Sequence, residues 1–263
     1  MVKVLMDQEI TILQKYRFCT DLKKSFDIID LLDDQFLMKF MKNLADVIKA
    51  PSEKAAASIF IKRYSFVAVM SLYAMSVWNK KIDISLDKLK MELPEKDKEW
   101  LPLFSLKEVY IEDWKGTNRT GWRRRVFHDL FAENICLLIE KFEKTFHISS
   151  LVLWENIAVY LFWLYETELK DIVNNQISED FRYLILEAEG QLFGRYNENP
   201  LQKYFSEKTY ASDRGEEVRV RKTCCFNYQL QGSLMRCKTC PCTYKVKGGR
   251  CLDGENFCSA VEA

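Results

Sequence analysis

Apolar residues recur at three- and four-residue spacing along most of this chain, which predicts helix after helix over its first two-thirds. Between Leu31 and Ile48, the positions Leu32, Phe36, Leu37, Phe40, Leu44 and Val47 form one face, with Asp33, Asp34, Lys39 and Lys42 mostly away from it. That is the pattern of an amphipathic surface helix. From about Glu53 to Trp78 the hydrophobic groups lie nearly all round, behind a Pro51-Ser52 step in which Ser52 is a candidate N-cap. Such a helix belongs at the centre of a fold, and Asn79-Lys80-Lys81 ends it. The polar stretch from Ile82 to Trp100, carrying Pro94, predicts an irregular or 3₁₀ connection and a subdomain boundary. Leu106 to Asp113, with alternating Val109 and Ile111, predicts a short strand, and Lys115 to Gly121 a loop. Further helices are expected at about Trp122 to Phe146, Ser149 to Lys170 and Glu179 to Phe193. Ser149 or Ser150 caps the second, and Leu153, Ile157, Leu161 and Leu164 supply its buried stripe. Beyond Pro200 the helical pattern stops, and Val218-Arg219-Val220-Arg221 alternates as a short strand does. The fold class expected is mainly α (α+β): a helical body with a few short strands and a small cysteine-rich C-terminal module.

Composition narrows the function more than the fold. The 263 residues are 48% apolar and 29% charged, enough to bury a sizeable core, and disordered or collagenous classes are excluded. With 39 basic against 38 acidic residues, no global field draws the chain to nucleic acid or to an anionic membrane. The longest charge-free apolar run, Tyr64 to Trp78, is 15 residues. A span needs roughly 20, so no membrane span is expected. The opening Met1 to Asp7 meets an acid at once and lacks a secretory signal's apolar stretch, so a cytoplasmic protein is expected.

Nine cysteines are present, and seven of them crowd the last 40 residues: Cys224, Cys225, Cys237, Cys240, Cys242, Cys251 and Cys258. In a reducing compartment such a cluster reads as metal ligands before disulfides. Cys19 and Cys136 lie in apolar helical contexts and read as small core residues. Cys224-Cys225, eleven residues, Cys237, two residues, Cys240 suits either structural zinc or an iron-sulfur cluster. The adjacent pair favours the wider two-iron centre, because neighbouring side chains in extended chain point to opposite sides.

The segment Arg221-Lys222-Thr223-Cys224-Cys225-Phe226-Asn227-Tyr228-Gln229-Leu230, followed by Cys237-Lys238-Thr239-Cys240-Pro241, resembles the C-terminal signature of ferric-siderophore reductases of the FhuF type. Leu153-Trp154-Glu155-Asn156-Ile157-Ala158 resembles a Leu-Trp-x-Asn stretch of that family, and Ile59 to Ser76 is similar to the helical half of Bacillus-type members. The resemblance implies a [2Fe-2S] cluster on Cys224, Cys225, Cys237 and Cys240. It also implies one-electron reduction of a ferric siderophore of hydroxamate or citrate-hydroxamate type. An external ferredoxin or ferredoxin reductase would then supply the electron. Two features depart from the pattern: the family has ten residues, not eleven, between the cysteine pair and the C-x2-C, and Cys242 lies close enough to compete as a ligand. One extra loop residue costs little closure entropy.

Charge adds two local features. Between Arg214 and Arg250 nine Lys or Arg face two acids, a basic collar suited to a cluster or to an anionic partner. Lys115, Arg119, Arg124, Arg125 and His128, with Arg123, form a second basic group, and convergence on one pocket would let them hold carboxylate or hydroxamate oxygens. The alternative for that group is a solvated helix start. His147 reads as structural, and Trp114 and Trp122 as core. The absence of a Gly-rich phosphate loop or dinucleotide fingerprint leaves flavin and pyridine nucleotide no obvious berth. The expected organisation is a helical subdomain over 1–100, a helical substrate-binding subdomain over 101–212 and a [2Fe-2S] module over 213–263. The competing expectation is a non-catalytic, zinc-stabilised helical binding protein.

Overall fold

The structure is a computed structural model, and it describes residues 5–96, 98–211, 215–231 and 236–243. Its centre is the helix α3, Glu53–Trp78, reached through α1, Asp7–Gln14, the short strand β1, Ser25–Asp27, and α2, Asp34–Val47. α3 contains neither Gly nor Pro. Its N-terminus is capped by the Ser52 hydroxyl, which accepts from the Ala55 amide at 3.2 Å, and it stops where Asn79 turns left-handed at φ 57°. Residues Ala55 to Ile61 and Tyr64 to Ser76 of this helix are buried on every side, as a helix without a polar face requires. By length and composition α3 also suits a membrane crossing, with Lys62 and Arg63 near its middle, and 89% of its apolar window is buried inside the molecule. The start of α2 differs from expectation. Asp33 is its N-cap, accepting from the Phe36 amide at 2.8 Å, and Ile28–Leu32 form a 3₁₀ turn.

Strands β2, Lys80–Ile82, β3, Leu89–Glu92, β4, Phe104–Leu106, and β5, Ile111–Asp113, follow α3. The expected irregular connection therefore contains β3, and the single strand expected over Leu106 to Asp113 is two. Antiparallel β1, β3 and β4 align Phe26 with Met91 and Met91 with Phe104, so these three side chains share one buried face. Pairing with non-local partners, which no local pattern records, creates these strands.

Helices α4, Arg119–Leu130, and α5, Cys136–Phe146, are joined by a π-helical turn over Phe131–Ile135. α4 begins inside the expected loop because the Asn118 side chain caps it through the Gly121 amide at 2.9 Å. Helix α6, Ser150–Trp163, is capped by Ser149 and runs into a second π turn, and α7, Asn175–Arg182, into a third. Asn134, in the first π turn, uses its whole amide, accepting from Tyr64 Oη at 2.7 Å and donating to the Ile84 carbonyl at 2.5 Å. His147 ends α5 in a left-handed conformation. The last pair, β6, Thr209–Ala211, and β7, Glu216–Val218, forms a two-stranded ribbon. Only Val218 of the expected Val218 to Arg221 strand takes part. One continuous apolar core runs from Leu5 to Phe226 and draws on all three sequence segments. The architecture is mainly α with a few short strands.

Candidate functional site

Leaving β7, the chain crosses α6 and is fastened to it residue by residue. The Arg219 guanidinium lies between the rings of Phe162 and Phe205, at 4.7 and 4.5 Å, and grips Glu166 with two hydrogen bonds of 2.8 and 2.9 Å. Glu155, 2% exposed, accepts from the Lys222 amide at 2.6 Å, the Thr223 amide at 2.7 Å and the Thr223 hydroxyl. Arg221 is equally enclosed. Its Nη2 donates to Asn156 Oδ1 at 2.6 Å, and its Nε stands 3.6 Å from Glu155. Asn156 Nδ2 in turn donates to the Ser58 carbonyl and hydroxyl on α3, and the Ser58 hydroxyl donates to the Cys225 carbonyl at 3.0 Å. Two adjacent residues of α6 therefore lock the start of the cysteine segment onto α3. Most of the polar groups in this clamp are hydrogen-bonded, which rigidifies a buried network, while the Arg221 Nε meets Glu155 only as an ion pair at 3.6 Å.

Beyond the clamp, Cys224 and Cys225 are buried, and Phe226 makes a left-handed turn at φ 58° that a non-glycine residue adopts at a cost of ~1–2 kcal/mol. Burial of the Phe226 ring in the core helps offset it. That turn points the Phe226 amide at Cys224 Sγ, 3.4 Å away. The Arg221 amide bonds the Thr239 carbonyl at 2.9 Å, which brings the C-x2-C turn alongside. The sulfur contacts run in a chain, Cys224 to Cys240, Cys240 to Cys237 and Cys237 to Cys225, the last pair 4.0 Å apart. Contact with Cys237, reinforced by the positive charges of Lys62 and Arg221, holds the Cys225 thiol well below its usual range against the effect of burial. Contacts with Cys224 and Cys237, with Arg236 beside them, depress Cys240 in the same way. Cys224 and Cys237, the partners in those contacts, are pushed up by them, and burial adds to the effect. Lys62 Nζ stands 3.8 Å from Cys225 Sγ, and Arg236 Nη1 3.8 Å from Cys240 Sγ. Among the described residues no group of three or more His, Cys, Asp or Glu side chains is arranged to hold a metal ion.

The fit to a metal centre rests on the donors themselves. Two thiolates on one tetrahedral ion with ~2.3 Å bonds stand ~3.8 Å apart, and Cys225 and Cys237 are separated by 4.0 Å. Cys224 with Cys240 makes the other end of the chain. A two-iron cluster uses thiolates in two such pairs, and amide and cationic donors around the sulfurs stabilise their charge. In the chain of contacts the adjacent Cys224 and Cys225 stand at opposite ends. Cys242 is half-buried and follows the turn, and its amide bonds Cys240. Cys251 and Cys258, like Arg214, Lys245, Lys247 and Arg250 of the basic collar, lie outside the described residues.

The second basic group stands elsewhere, and most of it is engaged. Arg119 and Arg123 both pair with the fully buried Asp180, at 2.6 and 3.1 Å. Arg119 also lies 5.3 Å from the Trp114 and the Trp122 rings. Arg124 holds Glu189 bidentately at 2.7 Å, Arg125 reaches Glu112 at 2.9 Å, and His128 lies 3.6 Å from Asp129 and 3.7 Å from Glu133. Lys115 is exposed on the loop before α4. These contacts tie α4 to its neighbours, and the structure does not turn the group toward one pocket. Sequence reasoning missed the roles of Glu155 and Asn156; the signal was a Glu-Asn pair inside an otherwise apolar helix.

The family model described as Ferric iron reductase FhuF-like transporter matches residues 103–216, a stretch holding α4 to α7 and both clamp residues and ending before Cys224. Over that stretch the chain is similar to this ferric iron reductase family. No curated protein matches the chain.

Proposed function

We propose that this protein is a cytoplasmic ferric-siderophore reductase whose working centre is a [2Fe-2S] cluster held by Cys224, Cys225, Cys237 and Cys240. The observation that carries the reading is the chain of four sulfurs, which the Glu155–Asn156 clamp fastens to the two central helices. The similarity over residues 103–216 supports the same reaction class, ferric iron reduction. When bound, such a cluster supplies a one-electron couple able to convert Fe(III) to Fe(II).

The protein's own groups set the conditions for that couple. Lys62 and Arg236 place positive charge beside two of the sulfurs, and the Phe226 amide donates to a third. All three favour the more negatively charged state of whatever the sulfurs hold. The clamp excludes water from one side and fixes the ligand positions. The chelated ferric ion is the substrate. Once reduced, it is a softer ion of lower charge that hard oxygen donors hold far less tightly, so it leaves the chelate. The electron comes from an external donor, a ferredoxin or a ferredoxin reductase, and no acid, base or nucleophile is needed.

Anaerobic purification with iron and sulfide analysis tests the reading. About two irons and two sulfides per chain are expected, with visible charge-transfer absorption that dithionite bleaches and a ferric hydroxamate restores, Fe(II) being captured by a chromogenic trap. Cys225→Ser is expected to remove that absorption. Colourless protein carrying one zinc, or a cluster that ferric chelates leave reduced, overturns it.

A further inference from the structure

We propose that the ferric chelate docks in the open cavity of about 1040 Å³ bounded by α3, the end of α2 and the turn after the cysteine pair, and that the site selects anionic chelates. The proposal rests on the reductase reading above and assigns its substrate site. The cavity adjoins the sulfurs through two elements. Ile59 and Arg63 line it from the same turns of α3 that carry Ser58 and Lys62, which touch Cys225. Asn227 and Leu230 line it from the 3₁₀ turn after Cys225, whose end is tied down by the Gln231 amide bonding the Lys49 carbonyl at 3.1 Å.

Trp100, which stacks on Phe60, lines the cavity, and so does Arg63, which meets Glu99 only at 3.7 Å through Nη2. A ferric chelate is a surface of oxygen acceptors. Among the described residues, Lys49, Arg63, Lys96 and Lys98 line the cavity, Lys98 paired with Glu95 and Arg63 3.7 Å from Glu99, and Asp46 and Glu99 are the lining carboxylates. That balance suits a chelate whose outer carboxylates leave it negative, such as a citrate dihydroxamate, over a neutral trihydroxamate. The volume is at the upper end of small-molecule sites, as a chelate of several hundred daltons requires. None of Lys115, Arg119, Arg124, Arg125 and His128 lines it.

Gallium(III) complexes test this, because they match ferric chelates in charge and shape and accept no electron. The Ga(III) complex of a citrate dihydroxamate and a neutral Ga(III) trihydroxamate are titrated calorimetrically into the intact protein. The Trp100 indole N–H is followed by NMR of ¹⁵N-Trp protein. The anionic complex is expected to bind at least tenfold tighter than the neutral one and to shift the Trp100 resonance. Arg63→Gln is expected to weaken it about tenfold or more, and Trp100→Phe severalfold, with unchanged circular dichroism. An unshifted Trp100 signal, or full affinity in both variants with a loss in Arg125→Gln, overturns the docking site. Reduction of ferric chelates by wild-type protein is measured separately, so a misplaced site and an absent reductase activity give different results.

Discussion

Replacing Glu155 by Gln isolates the clamp that holds the cysteine segment. The carboxylate accepts two amides and a hydroxyl and lies beside the Arg221 guanidinium, with both side chains 3% exposed or less. In the Glu155→Gln variant one oxygen becomes an NH₂ group. Placed toward Lys222 it opposes one amide, and placed toward Thr223 it opposes the other, so either orientation sets donor against donor. One charge-assisted bond, ~1.5–3 kcal/mol, is lost. Arg221 keeps Asn156 but loses its counter-charge, and breaking a buried pair from one side costs ~3–5 kcal/mol in all. These two figures overlap, so the expected destabilisation of the intact protein is ~3–5 kcal/mol. Chemical denaturation measures it, and hydrogen exchange at the Lys222 and Thr223 amides shows whether the loss is local. A loss below ~1 kcal/mol with unchanged exchange at both amides would falsify the reasoning, since the carboxylate would then be replaceable by any acceptor of its shape.

Other perturbations follow from the same contacts. A charge about 4 Å away is worth ~1–4 kcal/mol between the aqueous and protein-surface limits. Lys62→Met should therefore lower the reduction potential of the loaded site by ~40–170 mV, ~59 mV being a tenfold change in a one-electron equilibrium; an unchanged potentiometric midpoint would remove Lys62 from the electrostatics of Cys225. Burial raises Glu166, but hydrogen bonds from Arg219 and Lys208 outweigh it and leave its pKa below the ordinary value of about 4.3. The Glu166 contribution to stability is thus complete above that value and lost as pH falls below it through the depressed folded pKa. Glu166→Gln should flatten the acid limb of the stability curve there, and parallel curves for the two proteins would contradict this. Gly194 sits at φ 108°, and a Cβ there would meet Cys136 Sγ at 2.5 Å. Gly194→Ala should cost at least the ~1–3 kcal/mol of a strained backbone position, and a melting temperature within a degree of wild type would show that the turn can relax.

What could be read without the fold was whatever a local pattern encodes. The all-round apolarity behind Ser52 marked the central helix and its cap, Ser149 marked the start of α6, and the spacing of Cys224, Cys225, Cys237 and Cys240 marked the cysteines whose sulfurs the fold brings into contact, because periodicity, capping and residue spacing act over a few residues. The strands β1, β3 and β4 escaped that reading, since Phe26, Met91 and Phe104 become one face only by pairing between distant parts of the chain. The arginines around Arg124 looked like free cations for the same reason: Asp180, Glu189 and Glu112 reach them from distant elements. Tertiary structure alone placed Glu155 and Asn156 under the cysteine segment, ordered the sulfurs into a chain, and brought Arg63 and Trp100 into the lining of one cavity with Asn227 and Leu230. Electrostatics and hydrogen bonding depend on distance through space, and a linear sequence specifies that distance only after the chain has packed.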